Sequence, residues 1–340
     1  MKAAPVMAAL AKRPNVRQAL VHTGQHFNVN MSDVFFEQLG MQAPDVNLQV
    51  GSGTHAQQTA EIMSRFEPVV SEQQPDLVLV YGDVNSTVAA AMVCSKLGVR
   101  VGHVEAGLRS FDRGMPEEIN RVITDQISDL LFTPSSDGNK NLEREGIAPE
   151  KIHLVGNVMI DTLVRMLPAS TEHLPPDLPS RYALITLHRP SNVDDLAWLT
   201  QLMRTLDEVS HEIPVVFPIH PRTRERLRAA QINGAHNGLR LREPASYLEF
   251  LALQKKATVV VTDSGGIQEE TTFLGVPCLT VRENTERPVT IDCGTNTLVG
   301  RSFETLRHGM QNVLAGRVKT GTVPPLWDGA AAERIAEIVA

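Results

Sequence analysis

Short apolar runs rich in Val, Ile and Leu alternate along this chain with longer stretches whose apolar positions recur at helical spacing, as where LVLVY is followed by STVAAAMVCSKL. Such alternation is the mark of βαβ units stacked into a parallel sheet. In the first half it predicts helix 3–12, strand 16–22, helices 31–39 and 55–71, strand 76–81 and helix 86–97, the last capped by Ser86 and ended by Gly98. Strand 99–105, helix 116–129, strand 130–133, helix 136–145 and strand 152–155 continue it, and 157–167 reads as a connecting helix. Pro168, Pro175, Pro176 and Pro179 then mark a stretch that reads as neither helix nor central strand, hence a linker. The pattern restarts with strand 182–187, helix 195–209, strand 215–219, helix 222–230, strand 239–241, helix 247–253, strand 258–262, helix 266–274 and strand 278–281. The expected fold class is α/β, with two Rossmann-like, doubly wound domains facing a cleft, residues 1–167 and 180–322. Residues 323–340 pass Pro324 and Pro325 and end in a helix over 330–339 that is expected to return to the first domain.

Composition narrows the partners. Lys and Arg number 32 against 39 Asp and Glu, a net charge of -7, which argues against nucleic acid or an anionic membrane as a partner, so any phosphate site must be local. The three cysteines, Cys94, Cys278 and Cys293, are widely spaced and form no CxxC pair. Neither a disulfide framework nor a zinc site is expected, and a reducing cytoplasm fits. No apolar run is long enough for a membrane span, and MKAAPVMAALAKRP is too soon interrupted for a signal peptide.

The densest chemistry lies in HVEAGLRSFDRGMPEEINR, residues 103–121, which begins where an apolar strand runs out. Ligands of open parallel sheets sit beyond the carboxyl ends of the strands, so Glu105 points at a ligand, and Arg109 and Arg113 supply cations beside it. Glu117 and Glu118 follow Pro116 at a helix start, where they either act on a ligand or serve the helix dipole. YGDVNST places Asp83 beyond another strand end, at a site or as a helix cap. In TDSGGIQEE, Ser264, Gly265 and Gly266 leave a strand and open a helix, so free N–H groups face an anion such as a diphosphate, with Glu270 one turn on to accept from a ribose diol. His188 with Arg189, and His220 with Arg222, end two strands of the same domain and make a cationic rim for phosphates. Arg282 and Arg287, in RENTERP after the next strand, are placed to contact the same nucleotide. The chain has no GxSxG, GxGxxG or GxxxxGK[ST] motif, which sets aside serine hydrolases, NAD enzymes and P-loop NTPases. No metal site is expected.

Taken in order, YGDVNST, HVEAGLRSFDRGMPEEINR, TLHR, TDSGGIQEE and RENTERP resemble the non-hydrolysing UDP-N-acetylglucosamine 2-epimerases, over nearly the whole chain. The resemblance implies a glycosyltransferase B-type fold, a homodimer, a UDP-sugar substrate and no required cofactor, neither NAD nor metal. It implies that Asp83, Glu105 and Glu117 are catalytic acids and bases and His188 the active-site histidine. Ser264, Gly265, Gly266 and Glu270 match the UDP contacts, and Arg282, Thr285, Glu286 and Arg287 flank the nucleotide. The implied reaction interconverts UDP-GlcNAc and UDP-ManNAc, for cell-surface polysaccharide biosynthesis, by eliminating UDP to a glycal and adding it back. A C2 hydrogen with no adjacent carbonyl becomes acidic only as the C1 bond to UDP breaks, and inversion needs proton-transfer groups on both faces, each typically worth ~10²- to 10⁴-fold. Alternatives are the same reaction on a UDP-2,3-diacetamido-glucuronic acid, a glycosyltransferase on the same fold, and a UDP-sugar-binding pseudoenzyme. The segment GQHFNVNMSDVFF stands where relatives activated by a second substrate molecule are glutamine-rich, which argues against that activation. Family members open with an apolar strand and a Gly-Thr-Arg-Pro-Glu turn. Lys2 matches the substrate-binding lysine just after that turn, so the resemblance predicts that the protein's true start lies upstream.

Overall fold

The computed structural model describes residues 1–24, 39–219, 221–229 and 238–340. The chain divides into two compact units, one formed by Met1–Thr162 with Pro325–Ala340 and the other by Leu163–Pro324. The helix expected over 31–39 and the segment GQHFNVNMSDVFF lie almost wholly outside the described residues, and His220 lies outside them too.

In the first unit the described elements are α1 (Ala3–Leu10), β1 (Val21–His22), β2 (Val46–Asn47), α2 (His55–Gln73), β3 (Leu77–Tyr81), α3 (Asn85–Leu97), β4 (Arg100–Val104), α4 (Pro116–Ile127), β5 (Leu130–Thr133), α5 (Ser136–Arg144) and β6 (Ile152–Leu154); α6 (Val158–Ser170) carries the chain onward. Strands β3, β4, β5 and β6 form one parallel sheet in that order, while β1 and β2 pair separately. Among the described residues β3 pairs only with β4, and Leu77, Val78 and Leu79 are half-buried although LVLVY reads as a strand covered on both faces. The strand expected over 16–22 shrinks to Val21–His22, because β2 supplies only Val46 and Asn47 as partners. Ser86 does not cap α3: it lies inside the helix and bonds Thr23, while Thr87 Oγ donates to the Tyr81 carbonyl at 2.9 Å. Pro168 stands inside α6 rather than in a linker, and the lost N–H comes in the last turn, where only one ladder bond is forfeited.

The second unit contains β7 (Ala183–Thr186), α7 (Pro190–Val193), α8 (Leu196–Ser210), β8 (Val215–Pro218), α9 (Pro221–Ala229), β9 (Leu239–Arg242), α10 (Tyr247–Lys256), β10 (Val259–Thr262), α11 (Gly265–Leu274), β11 (Cys278–Thr280), α12 (Pro288–Asp292), β12 (Asn296–Leu298) and α13 (Phe303–Leu314). Its sheet is wholly parallel, in the order β12-β11-β10-β7-β8-β9, the doubly wound order whose direction of winding reverses between β7 and β10. Apolar residues of β7, β8 and β10 alternate between two cores, Ala183, Ile185, Val215 and Val259 on one face and Leu184, Val216 and Val260 on the other. The chain then returns to the first unit as α14 (Ala331–Val339), whose Ala331, Ala332, Ile335 and Ala336 share a core with Val6, Ala9 and Leu10 of α1.

Candidate active site

In the first unit the carboxylates gather at the carboxyl ends of β3 and β4. Glu105, one residue past β4, is buried in the left-handed region at φ 77, a conformation that costs a non-glycine residue on the order of 1 kcal/mol and concentrates at functional sites. Its carboxylate forms an ion pair with Lys2. That pair passes directly over Gly82: a side chain there would begin 2.6 Å from Lys2 Nζ and 3.4 Å from Glu105 Oε2, at φ 68, so only glycine fits. Asp83 follows and takes Arg121 Nε at 2.9 Å and Nη2 at 2.6 Å on one oxygen. Arg121 reaches on to Glu118 at 2.7 Å, and Glu118 accepts from the Ser110 N–H and hydroxyl and from the Phe111 N–H, each at 2.9 Å. Glu118 is therefore the carboxylate that holds the loop. Glu117, half-exposed in the first turn of α4, makes no hydrogen bond among the described residues. Arg113 stands exposed on the same loop.

Arg109 requires a correction. Instead of facing a ligand it is 2% exposed and held by Asp125 at 2.7 Å and Glu145 at 2.6 Å. Two carboxylates around a buried guanidinium explain this, since an unpaired cation there would carry its full desolvation cost. Asp125 also takes His103 Nδ1 at 2.6 Å and the Gly107 N–H at 3.1 Å. Burial alone would push the Asp125 carboxyl up, but the charges of and hydrogen bonds from His103 and Arg109 outweigh it and hold it below the ordinary carboxylate range.

In the second unit the site lies at the reversal point of the sheet. His188 follows β7 and Asp263 follows β10, with His188 Nδ1 2.9 Å from Asp263 Oδ1. Asp263 further accepts from the backbone N–H groups of His188 and Arg189 and from Asn192 Nδ2 at 3.0 Å. Burial opposes its charge, but the hydrogen bond from His188 and that residue's charge, with those from Asn192 and Arg189, leave its carboxyl below the ordinary value. The His188 side chain is 59% exposed, so a buried carboxylate orients an accessible imidazole. Ser264 precedes α11 without a side-chain cap, and Gly265 and Gly266 open the helix, leaving its first N–H groups directed outward.

Arg287 lies against Gly265, at that helix end, with its Nε on Glu269 at 2.8 Å and its Nη1 on Glu286. Arg282 is buried and bonds Glu286 at 2.6 Å. Both guanidinium groups are thus neutralised by buried glutamates, because cations so deep must be paired. Glu270 is also buried, accepting from the Tyr247 hydroxyl at 3.0 Å and, with the Gln254 amide turned to satisfy its neighbours, from Gln254 at 3.0 Å. Burial, and then the charge of Glu269, push its carboxyl up to about 7 against those hydrogen bonds.

The profile of a family described as UDP-N-acetylglucosamine 2-epimerase matches residues 8–340. The chain belongs to that family. A UDP-N-acetylglucosamine 2-epimerase of Methanococcus maripaludis is 41% identical over 100% of this chain and 94% of its own length. A UDP-2,3-diacetamido-2,3-dideoxy-D-glucuronate 2-epimerase of Pseudomonas aeruginosa is also 41% identical, over 100% and 96%. The crystal structure of Methanocaldococcus jannaschii UDP-GlcNAc 2-epimerase in complex with UDP-GlcNAc and UDP superposes with a TM-score of 0.90 at 41% identity, covering 99% of this chain and 95% of that one. The two Rossmann-like units are those of the glycosyltransferase B-type fold that this epimerase family adopts.

Within the epimerase site, sequence reading passed over Asp125, Asp263 and Tyr247. Asp263 stands at a strand end in TDSGG, and a carboxylate there had the same claim to notice as Asp83. Asp125 falls at i+7 from Glu118 with Arg121 at i+3, a polar stripe at helical spacing that marks a buried polar face once α4 is drawn as a helix. Tyr247 carried no signal, since only the packing of α10 against α11 brings its hydroxyl to Glu270.

Proposed function

We propose that this isomerase interconverts the C2 epimers of a UDP-N-acetylhexosamine, UDP-GlcNAc and UDP-ManNAc, by elimination and re-addition of UDP. The observation that carries the reading is the division of labour between units: proton-transfer groups Asp83, Glu105 and Glu117 in one, and in the other an anion-binding helix end with His188 on the buried Asp263. A base takes the C2 proton as the C1–O bond breaks. The bonding pair of C2–H becomes the C1–C2 double bond of a glycal, and the C1–O pair leaves with UDP. Return of a proton to the opposite face of C2, with UDP attacking C1, closes the cycle. No net oxidation occurs, so the reaction calls for no nicotinamide. The N–H groups of Gly265 and Gly266 hold the departing diphosphate, joined by the hydroxyl of Ser264, whose own N–H donates to Thr262 Oγ1 at 3.0 Å, and His188 steadies its developing charge, while Glu270 takes the ribose. Lys2 and Arg113 complete the cationic lining on the sugar side.

Incubation with UDP-GlcNAc in D₂O should place deuterium at C2 of both epimers. Absence of exchange at any enzyme concentration would refute the reading. A second reading, the same chemistry on a UDP-2,3-diacetamido-uronate, is favoured by the equal identity of the Pseudomonas relative, and relative turnover on the two substrates decides between them. Three cysteines, all free of disulfides, suit a reducing cytoplasm. We further read the protein as a homodimer, because α4 turns Ile119 and Ile123 outward, Ile119 beside Ala56, Ala60 and Met63 of α2.

A further inference from the structure

Beneath the carboxylates lies a histidine that the chemistry above does not use. His103 sits on β4 two residues before Glu105, paired in register with Val80 of β3, and is fully buried. Its Nδ1 meets Asp125 at 2.6 Å and its Nε2 meets the Gly82 carbonyl at 2.8 Å. A carbonyl can only accept, so Nε2 carries a proton and donates it. That carbonyl belongs to the peptide joining Gly82 to Asp83, while the Gly82 N–H donates to the Val104 carbonyl at 3.0 Å. The left-handed turn at Gly82 is thus gripped on both sides. From it Asp83 extends toward Arg121, and across it lies the Lys2–Glu105 pair. Asp125, which orients the ring, is itself tied to Arg109 and to the Gly107 N–H just beyond Glu105. Imidazole and carboxylate therefore bridge β3, β4, the loop after β4 and α4 in one buried set.

We propose that His103 is a positioning residue for the C2 proton transfers: through its Nε2–H bond to the Gly82 carbonyl it fixes the spacing of Asp83 and Glu105, and the Asp125 bond serves to aim the ring. The proposal rests on the epimerase reading. A mere packing role needs only the ring's volume, whereas positioning needs the Nε2 donor. The two nitrogens separate by substitution, since a glutamine amide reaches the place of Nε2 and an asparagine amide that of Nδ1.

His103→Gln should keep turnover within about threefold of wild type, while His103→Asn, with the Gly82 carbonyl undonated, should lower kcat at least ~10-fold with KM little changed, displacement of a reacting group being worth up to ~10²-fold. UDP affinity should stay constant in both. Hydrogen exchange of residues 81–84 should quicken in His103→Asn and not in His103→Gln. Equal losses in the two variants, or none in either, would overturn the proposal. Should His103→Asn not fold, wild-type protein labelled with ¹⁵N-histidine decides, because the Nε2 proton of His103 must appear as a solvent-protected imidazole resonance; a bare Nε2 overturns the assignment. Wild type that shows no C2 exchange refutes the epimerase reading instead, and the amide-exchange comparison still judges the positioning.

Discussion

Glu270 shows how much a single buried carboxyl in the second unit sets. In the function proposed above ribose hydroxyls donate to its ionised form, yet burial has pushed its carboxyl up to about 7. Below that pH the group must release its proton before the ribose can bind. UDP affinity of the wild type, divided by that of Glu270→Gln so that ionisation of the phosphate cancels, should therefore fall about tenfold from pH 8 to pH 6. Titration calorimetry at several pH values measures the ratio, and a constant ratio would remove Glu270 from the ribose site. The linkage to stability runs the opposite way: the folded state holds this proton more tightly than the unfolded chain, so the stabilisation is complete at acid pH and is lost as pH rises through about 7. Glu269 stands beside it in TDSGGIQEE, but the larger cause of the shift is burial, which no local signal announces because it comes only with tertiary packing.

α4 inverts the usual arrangement of a surface helix. Its buried face carries Glu118, Arg121, Thr124 and Asp125, and its apolar Ile119 and Ile123 face outward. The helix start itself was legible from Pro116 and the glutamates after it, as were the strands with long apolar runs, because such runs and glycine ends are local signals; the short β2 and β12 were not read. The role of the stripe was not, since pairing Glu118 with Ser110, Arg121 with Asp83 and Asp125 with His103 needs three other segments in place. The same holds for α14. Ala330 at its start offers no side-chain cap; Asp161 of α6 accepts the N–H groups of Ala331 at 3.2 Å and Ala332 at 2.7 Å in its stead. Removing that acceptor by Asp161→Ala should cost about 1–3 kcal/mol and lower Tm by several degrees, with Asp161→Asn losing less. An unchanged Tm would show that α14 needs no cap from α6.

At the scale of the whole molecule the outward isoleucines of α4 have a measurable meaning. A second copy covering them predicts a solution mass near twice 37.3 kDa, reduced to the single-chain mass by Ile123→Glu, which sets a charge in an apolar interface. Light scattering reads both, and a wild-type monomer would refute the dimer. The return of α14 has a different kind of consequence. The core that α1 shares with α14 is not complete until Ala331 to Ala336 arrive, and the 162 residues from Leu163 to Pro324 must be translated in between. At ~5–20 residues per second the ribosome holds that core unfinished for about 8–30 s, with Val6, Ala9 and Leu10 lacking their α14 partners, while the second unit has all its own residues before it leaves. The half that is made first is thus the last to have all its packing partners.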